Sequence, residues 1–226
     1  SDITVAPTHL TVEASIGAVP GKPSAVAISA DGTTAYVADK TQDSVAVVDL
    51  ATGEVLHTYT VGDKPATIAV HSDGRIYVGY SGGVNVINPT TGAVTTLTVA
   101  GGVQQIIVSP DGTRVYATKT GTVTSGIVVI STATDTVATT FGYPASYLAF
   151  AGSDSSTIYA TDTAGLALAV LKASDGSLLG VTYVITDPGP LPVNEAGTRA
   201  YVTTPTAIKV YDISDPSHMS VVQTIA

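Results

Sequence analysis

The stretch SPDGTRVYATK, at residues 109–119, reads as a tight turn followed by a β-strand. Asp111 and Gly112 form a dipeptide favoured in turns, because glycine adopts left-handed backbone conformations and aspartate accepts bonds from nearby backbone amides. Val115 and Tyr116 then start a run that suits a strand. Closely similar stretches stand at 29–39 (SADGTTAYVAD), 71–80 (HSDGRIYVGY) and 194–204 (NEAGTRAYVTT). The chain therefore repeats one structural unit.

The period of this repeat is close to 40 residues. The strand tyrosines stand 41, 39, 43 and 42 residues apart, at Tyr36, Tyr77, Tyr116, Tyr159 and Tyr201. A fixed period of this length is typical of repeat architectures. An apolar run precedes each turn, and another apolar run, a polar turn and a final strand follow each tyrosine strand. This pattern therefore predicts four short strands in each unit.

The strands inside each unit are apolar at consecutive positions, as in SVAVVDL at 44–50 and GIVVIST at 126–132. Such runs are expected of strands that are buried on both faces. A β-propeller supplies this burial because each four-stranded blade packs between two neighbours, whereas a β-sandwich would show alternation. We therefore predict an all-β fold, a β-propeller of four-stranded antiparallel blades. Its five full repeats are expected at about 21–62, 63–100, 101–142, 143–185 and 186–226.

The two ends of the chain do not match each other. Residues 3–17 align with the second half of a repeat such as 84–100, so we predict an N-terminal half-blade of two outer strands over 1–20. Both ends then offer an outermost strand, and pairing of the termini does not close the ring. Two interpretations stay open: a closed five-bladed ring with 1–17 packed as an extra hairpin, or a piece of a longer propeller. The proline-rich TDPGPLP at 186–192 weakens the prediction of an innermost strand in the fifth repeat.

At the residue level the chain resembles the YVTN β-propeller repeats of prokaryotic surface-layer and secreted proteins. The matching residues are KPSAVAISADGTTAYVADKTQDSVAVVDLATGEVLHTYTVG at 22–62 and YVTT at 201–204. The chain has no tryptophan, so the Trp-Asp signature of WD repeats is absent, and kelch repeats are longer, at roughly 50 residues. The resemblance implies an extracellular or cell-surface location in bacteria. Lactonase-like and NHL-like propellers are more distant relatives, and kinship at this level does not fix an activity.

Composition argues against several classes of partner. The net charge is −9 and no stretch clusters lysine and arginine, so nucleic acid is not an expected partner. No run approaches the roughly 18 apolar residues of a spanning helix, so membrane insertion is not expected. Cysteine is absent, which excludes disulfides and thiol nucleophiles. The loop acids form no dense ligand pattern and the four histidines are scattered. We therefore expect neither a metal site nor a cofactor, and we identify no catalytic residue.

Ligands of such propellers usually meet one face, which we call the top face. It is built from the loops that join the last strand of one blade to the first of the next, and from the loops between second and third strands. These loops bring six candidate ligand-binding residues towards the channel mouth: Lys22, Lys64, Gln104, Gln105, Tyr143 and Tyr147. Two lysines could hold a carboxylate between apolar tyrosine walls. Alternatively, the lysines are repeat consensus at solvated loop tips.

From these observations we expect a non-enzymatic binding or scaffold module of a secreted or cell-surface bacterial protein. Its partner at the top face would be a protein, a glycan or a small molecule of unknown identity. One alternative is a lactonase-like hydrolase or lyase with its site in the top-face channel. Another is a purely structural repeat of a surface lattice.

Replacing Lys22 and Lys64 together by alanine should leave the fold intact, because both residues are placed on loops before inner strands. The measurement is the thermal unfolding midpoint of the double variant beside the parent chain. A large drop in that midpoint would show that the lysines are misplaced in this interpretation.

Overall fold

The computed structural model describes residues 21–119, 126–184 and 187–226, which form five antiparallel sheets. In four sheets, strands that are consecutive in the chain pair side by side, four to a sheet. The fifth sheet has three strands. Each sheet is one blade, and the blades follow the five predicted repeats. The half-blade predicted over 1–20 lies outside the described residues.

Blade 1 contains β1 (Pro23–Ile28), β2 (Thr34–Asp39), β3 (Ser44–Asp49) and β4 (Val55–Thr60). Blade 2 contains β5 (Thr67–Val70), β6 (Ile76–Tyr80), β7 (Gly83–Asn88) and β8 (Ala93–Thr98). Blade 3 contains β9 (Val103–Val108), β10 (Arg114–Lys119), β11 (Ile127–Ser131) and β12 (Thr136–Phe141). Blade 4 contains β13 (Tyr147–Ala149), β14 (Thr157–Asp162), β15 (Ala167–Lys172) and β16 (Leu178–Tyr183). Blade 5 contains β17 (Arg199–Thr203), β18 (Ile208–Asp212), a short 3-10 helix (Pro216–His218) and β19 (Ser220–Ile225).

The hydrophobic cores lie between successive blades. Separate clusters of buried side chains join blade 1 to blade 2, blade 2 to blade 3, blade 3 to blade 4, and blade 4 to blade 5. The second and third strands carry most of this burial, and the repeat tyrosines Tyr77 and Tyr116 are fully buried. Full burial of one large apolar side chain contributes about 1.5–3 kcal/mol. The consecutive apolar runs therefore reflect burial on both faces, and the propeller prediction is confirmed.

One face of the first blade differs from the faces between successive blades. Val26 pairs with Val37 and Ile28 with Ala35, on the face that points away from blade 2. Val26 is 63% exposed and Ile28 is 48% exposed. Within the described ranges, no cluster of buried residues joins blade 5 to blade 1. The innermost strand of blade 1 therefore presents an accessible apolar face.

The fifth blade lacks a complete innermost strand because of its prolines. The backbone N–H groups of Tyr201 and Thr203 donate to the carbonyls of Pro192 and Pro190, at 2.9 and 3.3 Å. Proline has no N–H to donate in return. The inner segment donates to β17 on either side of these prolines, from the N–H groups of Gly189 and Asn194 to the carbonyls of Thr203 and Arg199 at 2.8 and 2.9 Å. Its ladder is therefore interrupted, and it shows a single isolated bridge at Val193.

An ion pair fastens blade 2 to blade 3 on the side opposite the top face, which we call the bottom face. Arg75 immediately precedes β6, and its guanidinium group donates to a carboxylate oxygen of Asp135, in the turn between β11 and β12. The Tyr77 hydroxyl donates to the same oxygen at 2.7 Å. Asp135 has a φ of 50°, a left-handed conformation that costs about 1–2 kcal/mol in a residue other than glycine. The contacts with Arg75 and Tyr77 offset that cost.

Replacing Asp135 by asparagine should lower the free energy of unfolding by about 1–3 kcal/mol, because a mostly buried arginine loses a charged acceptor. Asparagine keeps an acceptor for the Tyr77 hydroxyl and tolerates the left-handed backbone. The loss of unfolding free energy therefore measures the contribution of the carboxylate charge. The measurement is urea denaturation. The matched control is Asp175→Asn, at an exposed aspartate of the corresponding turn in blade 4. Equal stability of the two variants would contradict this role for Asp135.

Candidate functional site

The loops of the top face are shaped by their own carboxylates. Asp39 ends β2 and is 1% exposed. Its Oδ1 accepts from the backbone N–H groups of Thr41 and Gln42 at 2.8 and 3.0 Å. In blade 4, Asp162 ends β14 and accepts from the N–H of Ala164 at 3.0 Å. These bonds close the loops between second and third strands and fix their conformation.

The two candidate lysines lie at exposed loop positions. The carbonyl of Lys22 accepts from the N–H of Lys40 at 3.2 Å, so its backbone closes the loop while its side chain extends into solvent. The N–H of Lys64 donates to Asp43 at 2.8 Å. Its Nζ lies 3.2 Å from the carboxylate of Asp63, and its side chain is 72% exposed. The ammonium group of Lys64 is thus paired with its sequence neighbour in solvent, where such a pair adds little stability.

The candidate glutamines differ from each other. Gln105 joins the innermost strands of blades 3 and 4: its Oε1 accepts from the N–H of Leu148, and its Nε2 donates to the Leu148 carbonyl at 3.2 Å. The backbone N–H of Gln105 also donates to Thr118 Oγ1 at 3.1 Å. Gln104 is half-buried, and its amide makes no hydrogen bond within the part of the chain that the structure describes. The Gln105 amide is therefore committed to holding two blades together.

The two candidate tyrosines flank the start of blade 4. Tyr143 packs against the core between blades 3 and 4. Burial raises the pKa of Tyr143 to about 12, with further contributions from Asp162 and Tyr183, so its phenol is protonated at neutral pH. Tyr147 instead packs against the core between blades 4 and 5 and lines a cleft on the top face.

This top-face cleft has a volume of about 220 Å³. Tyr147 and the prolines Pro188 and Pro205 supply its apolar walls, and Thr163 and Thr203 supply hydroxyl groups. The Thr163 hydroxyl is 2.7 Å from that of Ser146, and the Thr203 hydroxyl donates to the Pro190 carbonyl at 3.1 Å. The cleft is therefore preformed and rigid. The sequence analysis found Tyr147 but not its proline walls. The proline-rich 186–192 segment was the visible signal for Pro188, whereas Pro205 lies outside it.

The six candidates thus fall into separate environments. Lys22 and Lys64 are solvated, and Gln104 is half-buried. Gln105 joins two strands, Tyr143 packs in a core, and Tyr147 lines a cleft. Their assignment as one ligand site stays a prediction.

His71 has a structural environment at the lower mouth of the channel. Its Nε2 lies 2.7 Å from the carbonyl of Gly112 in the next blade, and its Nδ1 accepts from the N–H of Asp73 at 3.2 Å. A neighbouring cleft of about 290 Å³ is bordered by Val70 and Val108. The ring of His71 therefore joins the bottom turns of blades 2 and 3.

Across the described ranges, no three histidine or acidic side chains stand close enough to form a metal site. A search of the same residues for helices finds none with the length and hydrophobicity to cross a membrane.

Comparison with solved structures identifies β-propellers at low sequence identity. A hydrazine synthase chain of Kuenenia stuttgartiensis superposes with a TM-score of 0.71 at 20% identity, over 84% of this chain and 64% of its own. A chain of a mitotic checkpoint complex gives 0.79 at 13% identity, over 90% and 64%. The Cps50 (Swd1) β-propeller domain of Myceliophteria thermophila gives 0.74 at 13% identity, over 90% and 72%. This chain therefore spans about two thirds of the length of these structures.

Neither the protein-family models nor the curated protein sequences give a match. The structural similarity shows the β-propeller fold.

Replacing Gln105 by glutamate should introduce a pH-dependent loss of stability. An ionised carboxylate faces the Leu148 carbonyl without a proton to donate, so the pKa of the new group should rise above about 4.3 on folding. Stability is then retained below the pKa of the unfolded chain and lost as the pH rises through the folded pKa. We expect a deficit of about 1–3 kcal/mol at pH 7 that shrinks towards pH 4.

The measurement is urea denaturation of this variant and of the parent at both pH values. Gln104→Glu is the matched control, since the side-chain amide of Gln104 makes no such bond. A Gln105→Glu deficit that is equal at pH 4 and pH 7 would contradict the bridging role.

Proposed function

We propose that this chain is a non-enzymatic binding module of the YVTN repeat type, within a secreted or cell-surface bacterial protein. Its partner is a protein, which it captures on the top face. The observation that carries the proposal is the preformed cleft between blades 4 and 5, where Tyr147 lies among prolines. The location of the parent protein rests on the sequence resemblance.

The size of the cleft favours a macromolecular partner. Sites that enclose a small molecule usually have about 300–1,000 Å³, whereas this cleft has about 220 Å³. That volume suits one or two side chains of a partner whose remaining contacts spread over the surrounding loops. Tyrosine is enriched among the residues that dominate such interfaces, because it adds a large rigid area with a polar tip.

The rigidity of the surrounding loops supports the same function. The Oδ1 atoms of Asp39 and Asp162 accept the bonds that close the top-face loops, and the Thr163 hydroxyl is paired with Ser146. A surface that is ordered before binding loses less conformational entropy when a partner docks. These Oδ1 atoms thus help to fix the surface that a partner meets, while Asp39 Oδ2 is buried without a hydrogen-bond partner among the described residues.

The experiment is a selection of peptides from a random display library on the immobilised chain. Enriched peptides are then synthesised, and their affinities are measured by fluorescence anisotropy. Tyr147→Ala should weaken binding at least tenfold, as expected for a central aromatic contact. Tyr183→Ala is the matched control, because Tyr183 is 76% exposed on the outer strand of the same blade.

A second variant, Pro205→Arg, adds bulk at the exposed rim of the cleft and should also weaken binding while leaving the thermal midpoint unchanged. Peptides that bind both variants with full affinity would overturn the top-face site. Turnover of any member of a lactone panel by the parent chain would overturn the non-enzymatic function.

A further inference from the structure

A separate cleft lies on the bottom face between blades 3 and 4, away from the proposed partner site. Its volume is about 480 Å³, within the range of small-molecule sites. Its lining includes two of the nine lysine and arginine residues of this acidic chain, Arg114 and Lys172, the serines Ser155, Ser156 and Ser174, and one carboxylate, that of Asp111. Two cations and several hydroxyls in one cleft suit an anionic, hydroxyl-bearing ligand.

The preceding junction shows which anion an arginine at this repeat position binds. Arg75 stands two residues before Tyr77 in blade 2, as Arg114 stands two residues before Tyr116 in blade 3. Arg75 and Tyr77 converge on one carboxylate, that of Asp135 in the next blade. The repeat therefore contains an occupied example of an arginine–tyrosine pair on a carboxylate.

At the junction of blades 3 and 4, the chain supplies no such carboxylate. Asp135 and Gly176 hold the same position in corresponding turns, since their N–H groups bond the carbonyls four residues earlier at 2.9 and 2.8 Å. Both are left-handed, with φ values of 50° and 74°. A Cβ atom on Gly176 would lie 2.3 Å from the ring of Phe141. An aspartate is therefore excluded from position 176.

Neutral oxygens take the place of that carboxylate. Arg114 Nη1 lies 3.2 Å from the carbonyl of Ala173 and 3.4 Å from that of Ser174. The Tyr116 hydroxyl donates to the Ala173 carbonyl at 2.9 Å. Carbonyls satisfy hydrogen bonds but do not neutralise a guanidinium charge, so Arg114 keeps its affinity for an anion.

The other strand-opening arginines are already neutralised. Arg75 pairs with Asp73 and Asp135, and Arg199 lies 2.8 Å from Asp212. Among the described residues, no acidic oxygen lies within 4.0 Å of Arg114. Arg114 thus differs from both in having no carboxylate in direct contact, although Asp111 lines the same cleft at a longer distance.

The hydroxyls of Ser109 and Thr113 already donate to Asp111, and that of Ser156 donates to Asp154, but other polar groups of the cleft can donate to a ligand. Ser155 Oγ accepts from the N–H of Asp111 at 2.9 Å, which leaves its O–H proton available. Ser174 is exposed at the rim. Lys172 is 54% exposed and lies 3.7 Å from Asp175, a loose pair that an entering anion can replace.

We propose that this cleft binds a small carboxylate with neighbouring hydroxyl groups, of the sugar-acid class. The carboxylate lies against Arg114 and Lys172, where Asp135 lies at the preceding junction, and the hydroxyls of Ser155 and Ser174 bond the polyol.

The test is isothermal titration of the intact chain with glucuronate, with glucose as the neutral control and inorganic phosphate as the alternative anion. We expect saturable binding of glucuronate and none of glucose. Arg114→Gln should weaken glucuronate binding at least tenfold. Arg199→Gln, which removes the corresponding arginine of blade 5, should leave the affinity unchanged.

Ser174→Asp gives a second test that does not depend on how Arg114→Gln folds. It adds a carboxylate beside Arg114, so it should abolish glucuronate binding without lowering the thermal midpoint. Absence of saturable glucuronate binding to the parent chain would overturn the proposal, as would full affinity in both cleft variants. Phosphate binding as tight as that of glucuronate would overturn its carboxylate class. None of these outcomes bears on the peptide site, which is assayed at the other face.

Discussion

The structure depends on burial of both faces of each blade that lies between two others. A four-stranded sheet with apolar side chains on both sides is covered here by adjacent sheets of the same kind. Ile76, Tyr77 and Val78 are consecutive, so their side chains alternate between the two faces of the sheet, yet all three are fully buried. Both adjacent blades therefore cover this strand. Each blade is therefore stabilised mainly through its junctions, and the residues placed at a junction determine how firmly two blades are held.

The junctions show how one repeated position acquires different roles. The repeat tyrosine bonds the Asp135 carboxylate after blade 2 and the Ala173 carbonyl after blade 3. After blade 4, the Tyr159 hydroxyl lies 3.5 Å from the carbonyl of Gly197, a long contact. The scaffold is constant while the acceptor changes. A single turn residue, aspartate or glycine, separates a junction that is closed by an ion pair from one that has an open cleft.

Much of the fold could be predicted from the sequence because local, periodic sequence patterns indicate it. The strand tyrosines and the apolar runs recur five times, and the Asp-Gly turn before the tyrosine recurs in the first three repeats. Each of these signals depends on a few neighbouring residues. The junction contacts could not be predicted in this way. Gln105 differs little from Gln104 in the sequence, yet only Gln105 reaches Leu148 across 43 residues, because the alternation of the strand decides which side chain faces the next blade.

The candidate site was predicted less well for the same reason. Loop positions indicate which side chains lie on the top face, but they do not indicate which ones a core or a neighbouring strand has already engaged. Tyr143 and Tyr147 are four residues apart, and they pack against different cores. The bottom cleft required a comparison between equivalent turns, which becomes possible once the strands are in register.

The interrupted hydrogen bonding of blade 5 also affects how the propeller opens. Its inner segment accepts from Tyr201 and Thr203 but has prolines where the other blades have donors, and its outer strand β19 is exposed along its whole length. Local unfolding begins where few backbone bonds and few buried contacts must be broken together. Blade 5 is therefore expected to be the least cooperative unit of the chain. Its amide protons should exchange, and proteases should cleave it, before the four blades that precede it.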